Sequence, residues 1–172
     1  MEITRPFNFK KWIDEHRHLL KPPVMNQVVY KGNDDFIVMV VGGPNKRKDF
    51  HYNETEEFFY QLEGDMLLKI VEDGKVVDIP IKEGEIFLLP AGTPHSPRRF
   101  ENTVGLVMEV TRPKGVQDGF QWYCESCGNK LHEEKMRVDD IVKDLPGVME
   151  KFYANEELRT CKKCGAVLEP PQ

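Results

Sequence analysis

The chain has 172 residues and a formal net charge of −5, a length that allows one well-buried core with a small appendage. Its longest basic run is Lys46-Arg47-Lys48, which argues against nucleic acid as a partner, because phosphate recognition leaves a basic stripe. No apolar run approaches the ~18 residues of a membrane span, and Met1 to Arg5 leads into a mixed helix rather than an apolar leader, so no membrane partner and a soluble, cytoplasmic protein are expected.

Residues 8 to 20 place Phe9, Trp12, Ile13, His16, Leu19 and Leu20 on one helical face, with Asn8 able to cap the start. Lys21-Pro22-Pro23 then stops the helix, since proline lacks an amide donor and restrains its predecessor. His16 and His18 have no carboxylate at ligand spacing and read as surface or interface residues. The apolar face with Trp12 suits a partner subunit or the chain's own core.

From Gln27 to Val110 the pattern changes to short β-branched or aromatic runs separated by glycine, proline and asparagine. Strands are expected over Phe36–Val41, Glu57–Glu63, Met66–Glu72, Lys75–Ile81, Glu85–Leu89 and Val104–Val110. Asp73-Gly74 between two of them signals a type I′ hairpin turn. Many short strands without intervening helices favour a sandwich or barrel.

Beyond residue 115 the composition shifts again, and a division into 1–115 and 116–172 is expected. Short helices over Val138–Asp144 and Val148–Tyr153, broken at Pro146-Gly147, lie between two Cys-x-x-Cys pairs: Cys124/Cys127 and Cys161/Cys164. Such pairs in a reducing compartment point to a tetrahedral S4 site for iron or zinc rather than to disulfides. Four sulfurs complete a tetrahedron, so His132 is expected to be exposed rather than a ligand. Helices this small need a metal clasp to supply stability. Glu169-Pro170-Pro171-Gln172 reads as a loose end.

The chemistry concentrates between Gly43 and Arg99. His51, Glu57 and His95 offer two imidazoles and a carboxylate, the donor set of a facial triad that holds Fe(II) and leaves positions open for substrate and dioxygen. Strand parity, by which alternate residues share a face, puts Arg47 and Asp49 on the side of His51. The same count puts Pro97 and Arg99 on the side of His95 with Arg98 outward. Glu109 shares its face with Gly105 and Val107 and so can enter a cavity. Two arginines and a glutamate beside a metal suit an anionic aromatic ring, the guanidinium forks matching a carboxylate; the alternative is that Arg47 and Arg99 are rim salt bridges.

Two motifs carry a resemblance. Gly84-x5-Pro90-x-Gly92-x2-His95 and His51-x-Asn53-x3-Glu57-x6-Gly64 resemble the paired motifs of the cupins, with Asn53 where a second histidine is usual. The implied fold is mainly β: a cupin (double-stranded β-helix, jelly-roll) barrel with an N-terminal helix and a small C-terminal metal-binding knuckle region. Longer blocks, among them Phe7-Asn8-Phe9, Trp12-Ile13-Asp14-Glu15-His16, Val41-Gly42-Gly43-Pro44-Asn45, Glu56-Glu57-Phe58-Phe59-Tyr60-Gln61 and His95-Ser96-Pro97-x-Arg99, are similar to the 3-hydroxyanthranilate 3,4-dioxygenase family, in its bacterial form with a rubredoxin-like tail.

That resemblance implies ring opening of 3-hydroxyanthranilate by O2 to 2-amino-3-carboxymuconate semialdehyde, which cyclises to quinolinate on the tryptophan-to-NAD route. It also implies Fe(II) on His51, Glu57 and His95, a second iron or zinc on the four cysteines, and a homodimer. Arg47 and Arg99 would take the substrate carboxylate, and Glu109 would bond the ring substituents and accept a proton. Asn26, Asp49 and Phe59 lie in blocks that surround the ring, beside Glu57. Another metal cupin, such as an isomerase or a different dioxygenase, and a binding or sensing cupin with a structural metal knuckle are the rival readings; the isomerase and the binding protein are separable by whether turnover needs O2 or occurs at all.

Overall fold

The computed structural model describes residues 5–22, 25–32, 35–113, 115–138 and 141–171, without the side chains of 141–144. The expectations for residues 1–4, Pro23 and Gln172 fall outside those limits, as do residues 139–140 of the expected helix 138–144.

Helix α1 spans Phe9–His16, capped by Asn8, whose Oδ1 accepts from Lys11 N at 2.9 Å. It is shorter than the expected 8 to 20, because Arg17–Leu19 tightens into a 3-10 turn before Pro22. Ile13 and Leu20 pack with Val40 and Val104, and Phe9 and Trp12 lie against them. The Trp12 face therefore covers this chain's own barrel. His16 stacks on Trp12 at 4.0 Å, its Nδ1 2.8 Å from Trp12 O.

Eleven strands follow among the described residues: β1 Asn26–Val28, β2 Phe36–Gly42, β3 Asp49–Tyr52, β4 Glu57–Glu63, β5 Met66–Glu72, β6 Lys75–Ile81, β7 Ile86–Leu89, β8 His95–Arg99, β9 Val104–Val110, β10 Asp118–Tyr123 and β11 Lys130–Met136. All pairings are antiparallel, in a five-stranded sheet β1-β2-β9-β4-β7 and a six-stranded sheet β11-β10-β3-β8-β5-β6. Asp73 and Gly74 both have positive φ, as a type I′ turn between β5 and β6 demands. The fold is mainly β, a cupin barrel of two facing sheets.

The inner faces meet in an apolar cluster of Phe59, Met66, Leu68, Ile70, Ile81, Leu89 and Val107. Strands β1, β3, β8, β10 and β11 were not in the expected set. Apart from β10, where Phe120 and Trp122 alternate, they are short or polar, and residues such as His95-Ser96-Pro97-Arg98-Arg99 give no hydrophobic alternation to read.

Strand β10 pairs with β3 through Gly119↔Tyr52, Phe120↔His51, Gln121↔Phe50 and Trp122↔Asp49. The chain after residue 115 thus begins by extending the barrel sheet. Two helices complete it: α2 over Ile141–Tyr153 and α3 over Glu156–Arg159. Contrary to the expected break, α2 runs through Pro146. Leu145, Val148, Met149 and Phe152 recur at helical spacing and pack on Phe120 and Trp122, and this burial outweighs the hydrogen bond that the proline removes. His132 is half-buried rather than exposed, stacked with Trp122 and Phe152.

Candidate metal centre and substrate pocket

Ligand atoms of His51, Glu57 and His95 lie within 4.8 Å of one another, all three residues buried. The geometry follows from register. His51 and His95 are direct partners across β3 and β8. Glu57 opens β4 in the opposite sheet, beside Glu109 of β9. The trio therefore bridges the two sheets.

Glu57 Oε2 is 3.0 Å from His95 Nε2, yet it is buried and has no hydrogen-bond partner. The two polar atoms do not point along the line joining them, as expected of ligands aimed at a common third point. Metal–ligand bonds of ~2.0–2.2 Å place two donors of one ion roughly 3–4 Å apart, so the residues fit a metal. Asn53 is buried outside this trio, its carbonyl accepting from Gly92 N at 2.9 Å.

The cavity at this site is lined by the trio together with Asn26, Arg47, Phe59, Arg99 and Glu109, closed by apolar neighbours such as Met39 and Val107. Asp49 is buried but does not line it. Its carboxylate accepts from Arg47 Nε at 3.1 Å and from Arg47 Nη2. Burial opposes the charges of both partners, but their mutual attraction outweighs it: Asp49 is held below and Arg47 above its ordinary pKa. Arg98 faces a separate groove on the barrel's exterior, beside Lys48 and Tyr123.

Arg99 differs from Arg47. It is 3% exposed, and among the described residues its guanidinium contact is Gln61 Oε1 at 3.4 Å, with no carboxylate pairing it. Burial pulls its pKa down from 12.5 to about 10. A buried cation with no carboxylate in salt-bridge contact, beside a cavity, has the chemistry to receive an anion. Asn45 anchors its strand, donating to Pro97 O at 2.9 Å and accepting from Arg99 N at 3.2 Å.

Burial and the neighbouring Glu57 push Glu109 up to about 7, with Arg112 opposing them. Burial lowers the His51 pKa despite its bond to Asp118. The Glu57 carboxylate raises that of His95 despite its burial. Three residues absent from the sequence reading complete the surroundings. Asp118 Oδ2 is 2.6 Å from His51 Nε2, Arg112 grips Asp118, and Phe120 stacks on His51 at 5.4 Å. Their signal was the aromatic alternation Phe120, Trp122 after Asp118, which marks a strand, here paired on both sides by β3 and β11.

A second cluster joins Cys124, Cys127, Cys161 and Cys164, with Sγ–Sγ distances of 3.6 Å for Cys124/Cys164 and Cys127/Cys161. Tetrahedral bonds of ~2.3 Å give sulfurs roughly 3.8 Å apart, whereas a disulfide is ~2.0 Å. The two knuckles repeat one backbone pattern: Gly128 N to Cys124 O and Gly165 N to Cys161 O, both 2.8 Å. Gly128 and Gly165 both have positive φ, which closes each turn without a Cβ penalty.

Residues 1–153 match the family described as 3-hydroxyanthranilic acid dioxygenase. The 3-hydroxyanthranilate 3,4-dioxygenase of Jannaschia sp. (strain CCS1) is 57% identical over 170 residues, covering 96% of this chain and 94% of the relative. That of Shewanella woodyi is 52% identical, covering 100% and 93%, and that of Neurospora crassa is 50% identical, covering 97% and 92%. With a metal-competent trio beside an unpaired buried arginine, and likeness along nearly its full length, the chain belongs to the 3-hydroxyanthranilic acid dioxygenase family.

Proposed function

We propose that this protein opens the ring of 3-hydroxyanthranilate with O2, between the hydroxyl-bearing carbon and the adjacent unsubstituted carbon, giving 2-amino-3-carboxymuconate semialdehyde. The observation that carries the reading is the juxtaposition of the convergent His51, Glu57 and His95 with Arg99, a buried cation lacking a carboxylate. His51, Glu57 and His95 would hold Fe(II), which would supply Lewis-acid and O2 chemistry at the site. Both oxygen atoms enter the product, so no external reductant is consumed.

The chain's own residues set the geometry. Arg99 and Arg47 take the substrate carboxylate, Asp49 holding Arg47 in place. Glu109 accepts a proton from a ring substituent, its burial suiting it to a proton transfer near neutral pH. Phe59 and Asn26 bound the ring, and apolar Met39 and Val107 exclude water. The four cysteines hold zinc or iron in a structural role, because ring opening needs no delivered electrons.

The protein acts as a cytoplasmic homodimer. No helix among the described residues is long and apolar enough to cross a membrane. The outer face of the five-stranded sheet supports a partner subunit there: Ile86 is 65%, Leu88 53% and Phe36 52% exposed.

The test is aerobic and anaerobic incubation of the Fe(II)-loaded protein with 3-hydroxyanthranilate, followed by product absorbance. Turnover is expected only with O2, and His51→Ala, Glu57→Ala and His95→Ala each abolish it. Full activity in any one of the three removes that residue from the ligand set. Anaerobic turnover would favour an isomerase, and none in either atmosphere a binding protein.

A further inference from the structure

Arg112 and Asp118 lie outside the cavity lining, yet they touch two of the groups the proposed chemistry uses. The Asp118 side chain is fully buried. Its Oδ2 meets His51 Nε2 at 2.6 Å. Arg112 Nε donates to Oδ1 and Oδ2 at 3.1 Å each, and Arg112 Nη2 donates to Oδ2 at 2.9 Å. The remaining arm of the same guanidinium, Nη1, is 2.6 Å from Glu109 Oε2.

A guanidinium is planar and rigid, so one that bridges two carboxylates fixes their separation and relative tilt. We propose that Arg112 and Asp118 are positioning residues that lock the metal ligand His51 and the ring-contacting Glu109 into one unit. The role assigned to Glu109 rests on the function proposed above; that of His51 rests on the trio alone.

Two constraints act on the imidazole. Asp118 engages one ring nitrogen as a donor and so leaves the other as a lone pair for a metal. Phe120 stacks on the ring at 5.4 Å and 23°, which blocks rotation about the side-chain bond. At the other end, the Arg112–Glu109 contact is an ion pair too poorly aligned to be a hydrogen bond, since Glu109 Oε2 has no hydrogen-bond partner. That oxygen therefore keeps acceptor capacity for a ligand while its position is held. The strand that carries Asp118 and Phe120 begins beyond the expected boundary at 115, so the C-terminal part of the chain reaches into the site.

The experiment measures Co(II) binding anaerobically, without substrate, by chelator competition and visible d–d absorption. Cobalt on the cysteines is counted separately by its thiolate charge-transfer bands. Asp118→Ala is expected to weaken Co(II) at the His/Glu site by roughly 10- to 100-fold and to shift its d–d bands, as loss of an orienting partner does. Asp118→Asn, which retains an oxygen acceptor, restores most of the affinity. Arg112→Met weakens Co(II) less and raises KM for 3-hydroxyanthranilate more, and its effect on Co(II) disappears in the Asp118→Ala background.

A merely structural clip between β9 and β10 predicts a lower melting temperature with wild-type Co(II) affinity and spectrum, and that result overturns the proposal. Should Asp118→Ala fail to fold, Asp118→Asn and Arg112→Met carry the same comparison, and wild-type affinity, spectrum and KM in both overturns it. A wild-type protein that binds Co(II) at the trio but does not turn over 3-hydroxyanthranilate sinks the proposed function, while the Co(II) comparison still decides the role of Asp118.

Discussion

Replacing Arg99 by methionine is expected to make the protein more stable and a worse enzyme. The folded state binds this guanidinium's proton less tightly than the unfolded chain does, since burial lowers its pKa from 12.5 to about 10. At pH 7 the charge therefore destabilises the fold, and the penalty fades only as pH rises through the folded value. At 1.36 kcal/mol per unit the cost is about 3 kcal/mol. Methionine keeps a long flexible stem in the space against Gly105 without the charge. With roughly 2–4 °C per kcal/mol for a chain of this size, the melting temperature should rise by about 6–12 °C.

Binding moves the opposite way. Removing one partner of a buried charge pair costs about 2–5 kcal/mol, so KM for 3-hydroxyanthranilate should rise by roughly 30- to 5,000-fold. KM for 2-aminophenol, the analogue without the carboxylate, should barely change. Differential scanning fluorimetry and product absorbance with both compounds read the two effects in one variant. A fall in melting temperature with an unchanged preference for the carboxylate would refute the argument that Arg99 is an uncompensated cation waiting for an anion.

Three further outcomes follow from the contacts. In Gly105→Ala the new Cβ would sit 2.5 Å from Arg99 Nη1 and 2.9 Å from Gln61 Oε1; displacing the guanidinium should raise KM by roughly 10- to 100-fold, and wild-type KM would show that Arg99's position is not critical. Cys124→Ser should lower stability by about 2–5 kcal/mol, on the scale of a lost covalent clasp, with kcat per folded molecule retained; lost turnover at unchanged stability would contradict a structural role. Glu63, bonded to Arg17 at 2.8 Å, is held below its usual 4.5 by that partner. This half-exposed pair contributes up to about 0.5 kcal/mol, present above pH 4.5 and lost as pH falls through the lower folded value. Glu63→Gln should thus cost stability at pH 7 and nothing in stronger acid, as denaturant titrations at the two pH values will show.

Much of the site was legible along the chain because its parts are local. His51 and Glu57 stand in one motif and His95 in another, and strand parity alone aimed Arg99 and Glu109 inward and Arg98 outward. The cysteine pairs declared themselves by spacing. Less legible were strands such as β3 and β8, whose inward positions carry polar side chains such as His51 and His95 and therefore break the hydrophobic alternation that marks a strand.

What the amino-acid order determined by itself was the inventory: which donors exist, which share a face, and where turns must close, since these depend on side-chain chemistry and on the two-residue period of an extended backbone. What only the tertiary structure decided was the pairing among distant charges. Arg47 is neutralised by Asp49 and Arg99 is not, and Asp118 reaches His51 from 67 positions away. Those differences arise when two sheets close over a cavity of low dielectric, where the proximity of a partner, rather than the identity of the residue, sets what each charge costs and what it can bind.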